Sequence, residues 1–114
     1  MRRISTNSEF EKAVGYSRAV VDDDYVHVSG TTGFDYETMT ISDDVVEQAH
    51  QAFGNIARTL ATARVSFADL VRVTYYIADA DDYEALMPVF KQYPGPNPPA
   101  ATALIAQLVD PRMK

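Results

Sequence analysis

The sequence contains no cysteine, which excludes a disulfide framework, a thiolate nucleophile and any zinc site built on thiolates. A cysteine-free chain is best suited to an intracellular, cytoplasmic setting. Only two histidines are present, His27 and His50. They are far apart in the chain and have no acidic ligands at metal-binding spacing, so neither a metal site nor a cofactor is expected. Basic residues are scarce as well, with ten Lys and Arg against sixteen Asp and Glu for a formal charge of −6. Such a chain has no counterion-release drive toward a phosphate backbone, and no nucleic-acid partner is expected. No stretch reaches the roughly 18 apolar residues of a membrane span. The opening MRRISTNSEFEKAVGY carries two arginines with no apolar segment behind them, so neither a targeting segment nor a membrane partner is expected.

What remains is an ordinary globular composition, 46% hydrophobic over 114 residues. This size fits a single domain, 1–114, that buries about two-thirds of the surface of its unfolded chain. YSRAVV at 16–21 and YVHVS at 25–29 are short β-rich runs separated by Asp22, Asp23 and Asp24, a hairpin pattern. GTTGFDYETMT, which follows, has no periodicity and reads as a loop, with 31–36 placed to line a cleft.

Val46, Ala49, Phe53, Ile56, Leu60 and Ala63 recur at steps of three and four and predict a helix over 43–64, with Ser42 as its N-cap. In LVRVTYYIA (70–78) one face carries Val71, Val73, Tyr75 and Ile77 and the other Leu70, Arg72, Thr74 and Tyr76. Both faces are substantially apolar, so this strand is expected to be covered on both sides, the second time by a partner subunit. A second helix is predicted from about Asp81, with Pro88 inside it, followed by the stiff YPGPNPP and a strand over 101–108. The order β-β-α-β-α-β implies an α+β two-layer sandwich, a mixed sheet with two helices on one face.

YSRAV at 16–20, VHVSGTTG at 26–33, EQAHQAFGNI at 47–56, DLVRVTYYIAD at 69–79 and PGPNPPA at 94–100 occur in the order and spacing of the RidA/YjgF family, also called L-PSP endoribonuclease-like proteins. The chain resembles that family over nearly its whole length. The resemblance implies a chorismate-mutase-like fold, a homotrimer with clefts between neighbouring subunits, and hydrolysis of enamines or imines such as 2-aminoacrylate. Tyr16 matches the family's cleft tyrosine and Ser29-Gly30 its SG pair. The family's substrate-gripping arginine follows PPA, where this chain has Ala101. A guanidinium holds a carboxylate through two parallel hydrogen bonds, and nothing in ATALIA imitates that. The family's water-handling glutamate lies on a final strand beyond the segment matching PRMK, so a further strand of alternating apolar and acidic residues is expected after Lys114.

The expected ligand cleft therefore comprises Tyr16, Arg18, Ser29, Gly30, Thr31, Ala101 and Thr102, with no catalytic residue assigned. Arg18 follows Tyr16 by two, shares its face and is the candidate to compensate for Ala101. Thr102 offers a single hydroxyl. His27 reads as a satisfied structural histidine, His50 as a solvated one, and Arg72 as half of a structural ion pair. The functional expectation is a small-metabolite site in intersubunit clefts, open to enamine or imine hydrolysis but poor on 2-aminoacrylate. The alternatives are a non-catalytic binding trimer and, third, a ribonuclease.

Overall fold

A computed structural model describes residues 1–114. Its elements are β1 (Arg2–Ile4), α1 (Glu9–Val14), β2 (Ala19–Val21), β3 (Val26–Val28), β4 (Phe34–Asp35), β5 (Thr40–Ile41), α2 (Val45–Thr62), β6 (Arg72–Ile77), α3 (Tyr83–Gln92) and β7 (Ala100–Ile105), with 3-10 turns at Phe67–Asp69 and Ala80–Asp82. All the elements read from periodicity are present. The order β-β-α-β-α-β is incomplete, because β1, α1 and the β4–β5 hairpin come in addition. The segment 31–36, read as loop, contributes Phe34 and Asp35 to that hairpin.

These omissions have physical reasons. Strands of two or three residues are too short to show a period of two. Helix α1 is a six-residue helix held by its ends. Ser8 accepts a hydrogen bond from the Glu11 amide, the Glu11 carboxylate accepts from the Ser8 amide, and Gly15 closes the helix in the left-handed conformation at φ 86°. Helix α2 begins at Val45, capped by Asp44 rather than Ser42; the Ser42 hydroxyl accepts from the Asp44 amide and donates to Glu47 instead.

Strands β1, β2 and β3 form an antiparallel sheet in that order, and β6 pairs in parallel with β7 through α3 as the crossover. Helices α2 and α3 pack together over β6. The Phe53 ring stacks on Tyr93 at 4.2 Å between centroids, and Tyr75 stacks on Phe90 at 3.8 Å. Val73, Tyr75 and Ile77 thus face the helices, whereas Arg72, Thr74 and Tyr76 face outward. Within a single chain only one face of β6 is covered, and Tyr76 on the other is 57% exposed. Arg72 has no acidic partner and donates to Thr102 across the β6–β7 pair, so the expected ion pair is replaced by a strand-to-strand hydrogen bond.

Between β3 and β6 runs a trough of about 1140 Å³. Val26 and Val28 line one side, Val73 and Tyr75 the other, and Phe53 and Ile56 of α2 are also in its wall. Strand β3 ends its sheet and β6 pairs only with β7, so each presents one edge with no strand partner.

Candidate functional site

Tyr16, Ser29, Gly30 and Thr31 line one end of the trough, together with Tyr36. Backbone pairing brings them there. The Arg18 amide donates to the Ile4 carbonyl, and the Arg18 carbonyl accepts from the Ser29 amide at 3.0 Å, so the residues before β2 lie beside those after β3. The Ser29 hydroxyl donates to the Ser17 carbonyl at 2.6 Å, and the Thr31 hydroxyl donates to the Ser29 carbonyl at 2.8 Å.

Arg18 stands behind this wall, only 1% exposed. Its Nη1 donates to Thr31 Oγ1 at 3.1 Å and to the Tyr36 hydroxyl at 3.2 Å. Its guanidinium carbon lies 5.3 Å from the Tyr16 ring centre and 5.2 Å from that of Tyr36, within the range of cation–π attraction. Tyr16 and Arg18 do share a face. Burial raises the pKa of the Tyr16 phenol, against the opposing pull of the Arg18 charge, so the hydroxyl is protonated near neutral pH and can donate a hydrogen bond.

The loop that carries Thr31 and Tyr36 is fixed from below by α2. Asn55, buried, donates from Nδ2 to the Thr32 and Phe34 carbonyls at 3.1 and 2.8 Å. Gln48 is buried about two turns earlier, and Gly33 sits so close to it that an added Cβ would lie 2.5 Å from the Gln48 carbonyl oxygen. Tyr36 accepts from the Thr32 amide as well as from Arg18. Asn55, Gln48 and Tyr36 were not singled out in the sequence; a polar residue on the flank of an apolar helix stripe was the only signal for the first two.

Ala101 and Thr102 are elsewhere. Both lie on β7, opposite Val73 and Thr74 in register, and neither is in the trough wall of the same chain. His27 is exposed and bonds Asp22 Oδ2 through Nε2 at 2.9 Å. His50, expected in solvent, is half-buried and bonds the Tyr93 hydroxyl through Nδ1 at 2.7 Å, because the crossing of α3 over α2 brings Tyr93 against it. Neither histidine reaches the wall. No group of three or more metal-ligating side chains is present, and no helix is long and apolar enough to cross a membrane.

Comparison with known proteins agrees with this geometry. A family model described as Endoribonuclease L-PSP matches residues 6–114. A 2-iminobutanoate/2-iminopropanoate deaminase from Capra hircus is 36% identical over 105 residues, covering 90% of this chain and 77% of its own, and the Homo sapiens protein of the same name is 33% identical over the same length. Among solved structures, a member of the YjgF/YER057c/UK114 family from Mycobacterium tuberculosis superposes with a TM-score of 0.88 at 34% identity, over 98% of this chain and 90% of its own. RidA from a Psychrobacter species superposes with a TM-score of 0.77, also at 34% identity, over 81% of this chain and 75% of its own. Matched by the family model over residues 6–114 and one-third identical to these relatives, the chain belongs to the endoribonuclease L-PSP family, the group also known as RidA/YjgF.

Proposed function

We propose that the chain binds a small imine or enamine, or the carbonyl compound derived from it, at the wall formed by Tyr16, Ser29, Gly30 and Thr31, and that its chemistry is hydrolytic deamination. The observation that carries this reading is the convergence of those residues in one wall of a chain one-third identical to two 2-iminobutanoate/2-iminopropanoate deaminases. In the reaction water adds to the C=N carbon, the nitrogen takes a proton, and the carbinolamine collapses to C=O with loss of ammonia. The Tyr16 phenol lines the trough and, being protonated, can donate a hydrogen bond to the nitrogen or oxygen of the reacting group. The Ser29 hydroxyl, donating its hydrogen bond to the Ser17 carbonyl, offers lone pairs to an attacking water or a departing amine.

The site is completed between copies. The outward face of β6–β7 carries Tyr76 beside Leu104, 57% and 47% exposed. An apolar row of this kind favours burial against a second copy, and a homotrimer would bring β7 of one subunit, with Ala101 and Thr102, toward the wall of the next. Because Ala101 supplies no cation, turnover of 2-aminoacrylate is expected to be slow. The test is an assay in which an amino-acid oxidase supplies the imine: release of ammonia and ketoacid above the spontaneous rate supports the reading, and a rate equal to the enzyme-free control sinks it.

One observation favours a second reading, a binding trimer without turnover. The Ser29 hydroxyl proton is already engaged and neither histidine lies in the wall, so this wall presents no evident general base. Saturable binding of 2-oxobutanoate without imine hydrolysis would establish it.

A further inference from the structure

Gln48 is buried near the start of α2, and its carboxamide ties together parts of the chain that are far apart in sequence. Nε2 donates to the Ser42 carbonyl at 2.7 Å and to the Arg112 carbonyl at 2.8 Å, while Oε1 accepts from the Lys114 amide at 2.8 Å. Two carbonyls and one N–H admit only this orientation of the side chain. Gln48 thus pins the backbone on both sides of Met113, whose own side chain is buried.

The same residue forms the floor of the wall loop. The space that a Cβ on Gly33 would need is already filled by the Gln48 carbonyl oxygen, Cα and Cβ. Phe34, the next residue, is fully buried and meets the pinned segment directly. The Arg112 guanidinium carbon lies 4.9 Å from its ring centre, and two hydrogen bonds to the Asp110 carboxylate, at 3.0 and 2.8 Å, fix that guanidinium. Phe34 packs edge-on against Phe10 at 5.3 Å, and Phe10 against Tyr36 at 6.5 Å. Two contacts therefore join the segment 110–114 to the loop, Gln48 with Gly33 and Arg112 with Phe34, and both lead on to Tyr36. Close-packed groups transmit a displacement rather than absorb it.

We propose that Gln48 is a positioning residue for the ligand wall. By seating 110–114 against Gly33 and Phe34 it holds Thr31 and Tyr36 in place, so seating of this segment and occupancy of the wall favour each other. The inference rests on the wall being the ligand site, as proposed above, and the coupling acts equally in both directions.

In the unmutated protein, saturation with 2-oxobutanoate is expected to slow hydrogen exchange of the Lys114 amide by about tenfold. Gln48→Met, similar in shape but without the hydrogen bonds, is expected to weaken 2-oxobutanoate binding in titration calorimetry by about the same factor. Lys114→Pro and Lys114→Ala both remove the side chain, and only the first removes the donating amide, so the proline variant should bind several-fold more weakly than the alanine one. In the free protein the Thr31 and Tyr36 amide resonances should move in Gln48→Met and Lys114→Pro, and stay in place in Val89→Ala, which removes core volume in α3 instead. Unchanged affinity in the Gln48 and proline variants, or an unchanged Lys114 exchange rate with ligand bound, overturns the proposal and leaves the ligand site standing. Absence of 2-oxobutanoate binding to the unmutated protein removes the ligand reading, and the free-protein resonances then decide. Movement confined to Gln48→Met and Lys114→Pro keeps the positioning role; movement in Val89→Ala as well, or in none, removes it. Should Gln48→Met fail to fold, the Lys114 pair and the exchange rate still decide.

Discussion

The wall around Arg18 and the strand Ala100–Ile105 are two halves of one expected site, and they are built in opposite ways. The wall is dense with hydrogen bonds: Ser29 to Ser17, Thr31 to Ser29, Arg18 to Thr31 and Tyr36, and Asn55 holding the loop from beneath. The strand is mostly exposed, small-sided and free of charge. One half is preorganised within the subunit; the other is a plain edge whose meaning depends on what it is set against. Charge missing at Ala101 therefore need not mean charge missing from the site, because Arg18 lies buried in the other wall.

Variants that swap properties between the halves test this contrast most sharply. Replacing Leu104 or Tyr76 by Glu places charge in the outward apolar row, and we expect loss of self-association, read as a fall to monomer mass in light scattering, with deaminase turnover lost alongside it. Persistence of the oligomer would move the interface elsewhere. Ala101→Arg restores a cation on the plain strand; turnover of 2-aminoacrylate is expected to rise about 100-fold, close to the 2–3 kcal/mol of one charge-assisted bidentate contact. If it does not rise, β7 is not part of the site.

Within the wall, Gly33→Ala forces a Cβ to 2.5 Å from the Gln48 carbonyl, and the loop must retreat from α2 at a cost of about 1–3 kcal/mol. Chemical denaturation measures that loss, and ligand affinity should fall with it.

Smaller again is an effect outside both halves. Burial alone would raise the Glu11 carboxyl, but hydrogen bonds from Thr6 and Ser8 outweigh it and hold the pKa at about 2, from 4.5. A pKa depressed on folding stabilises the native state above the unfolded value, and that contribution disappears as pH falls from about 4.5 to about 2. Glu11→Gln should cost about 2 kcal/mol at neutral pH and flatten stability against pH across that window, with the wall's ligand affinity unchanged at pH 7.

How much of this was legible in the sequence varies with the range of the interactions. Helix α2 was readable because Phe53, Ile56 and Leu60 repeat on one stripe, and β6 because its residues alternate. The sharing of a face by Tyr16 and Arg18 followed from their spacing of two. Helix α1 escaped, although Ser8 and Glu11 spell a capping box, because six residues do not establish a period. The particular contacts of Tyr36, within the 31–36 segment expected at the cleft, and of Asn55 were not legible for a deeper reason. Their roles come from a loop folding back on a helix, with partners 18 and 21 residues away, and no local pattern encodes such a return. His50 illustrates the same limit, since its partner Tyr93 is 43 residues distant.

The trough between β3 and β6 bears on how the molecule opens. No backbone ladder crosses it, so the β1–β3 sheet and the β6–β7 pair are joined chiefly through α2, as two leaves on one spine. Such a chain loosens by hinging about that helix before it unravels. Amides in the middle of α2 should then outlast those on the facing edges of β3 and β6 in hydrogen exchange. Anything that bridges the two leaves, whether ligand, strand or neighbouring subunit, would close the hinge and convert a pair of loosely coupled half-sheets into one cooperative unit.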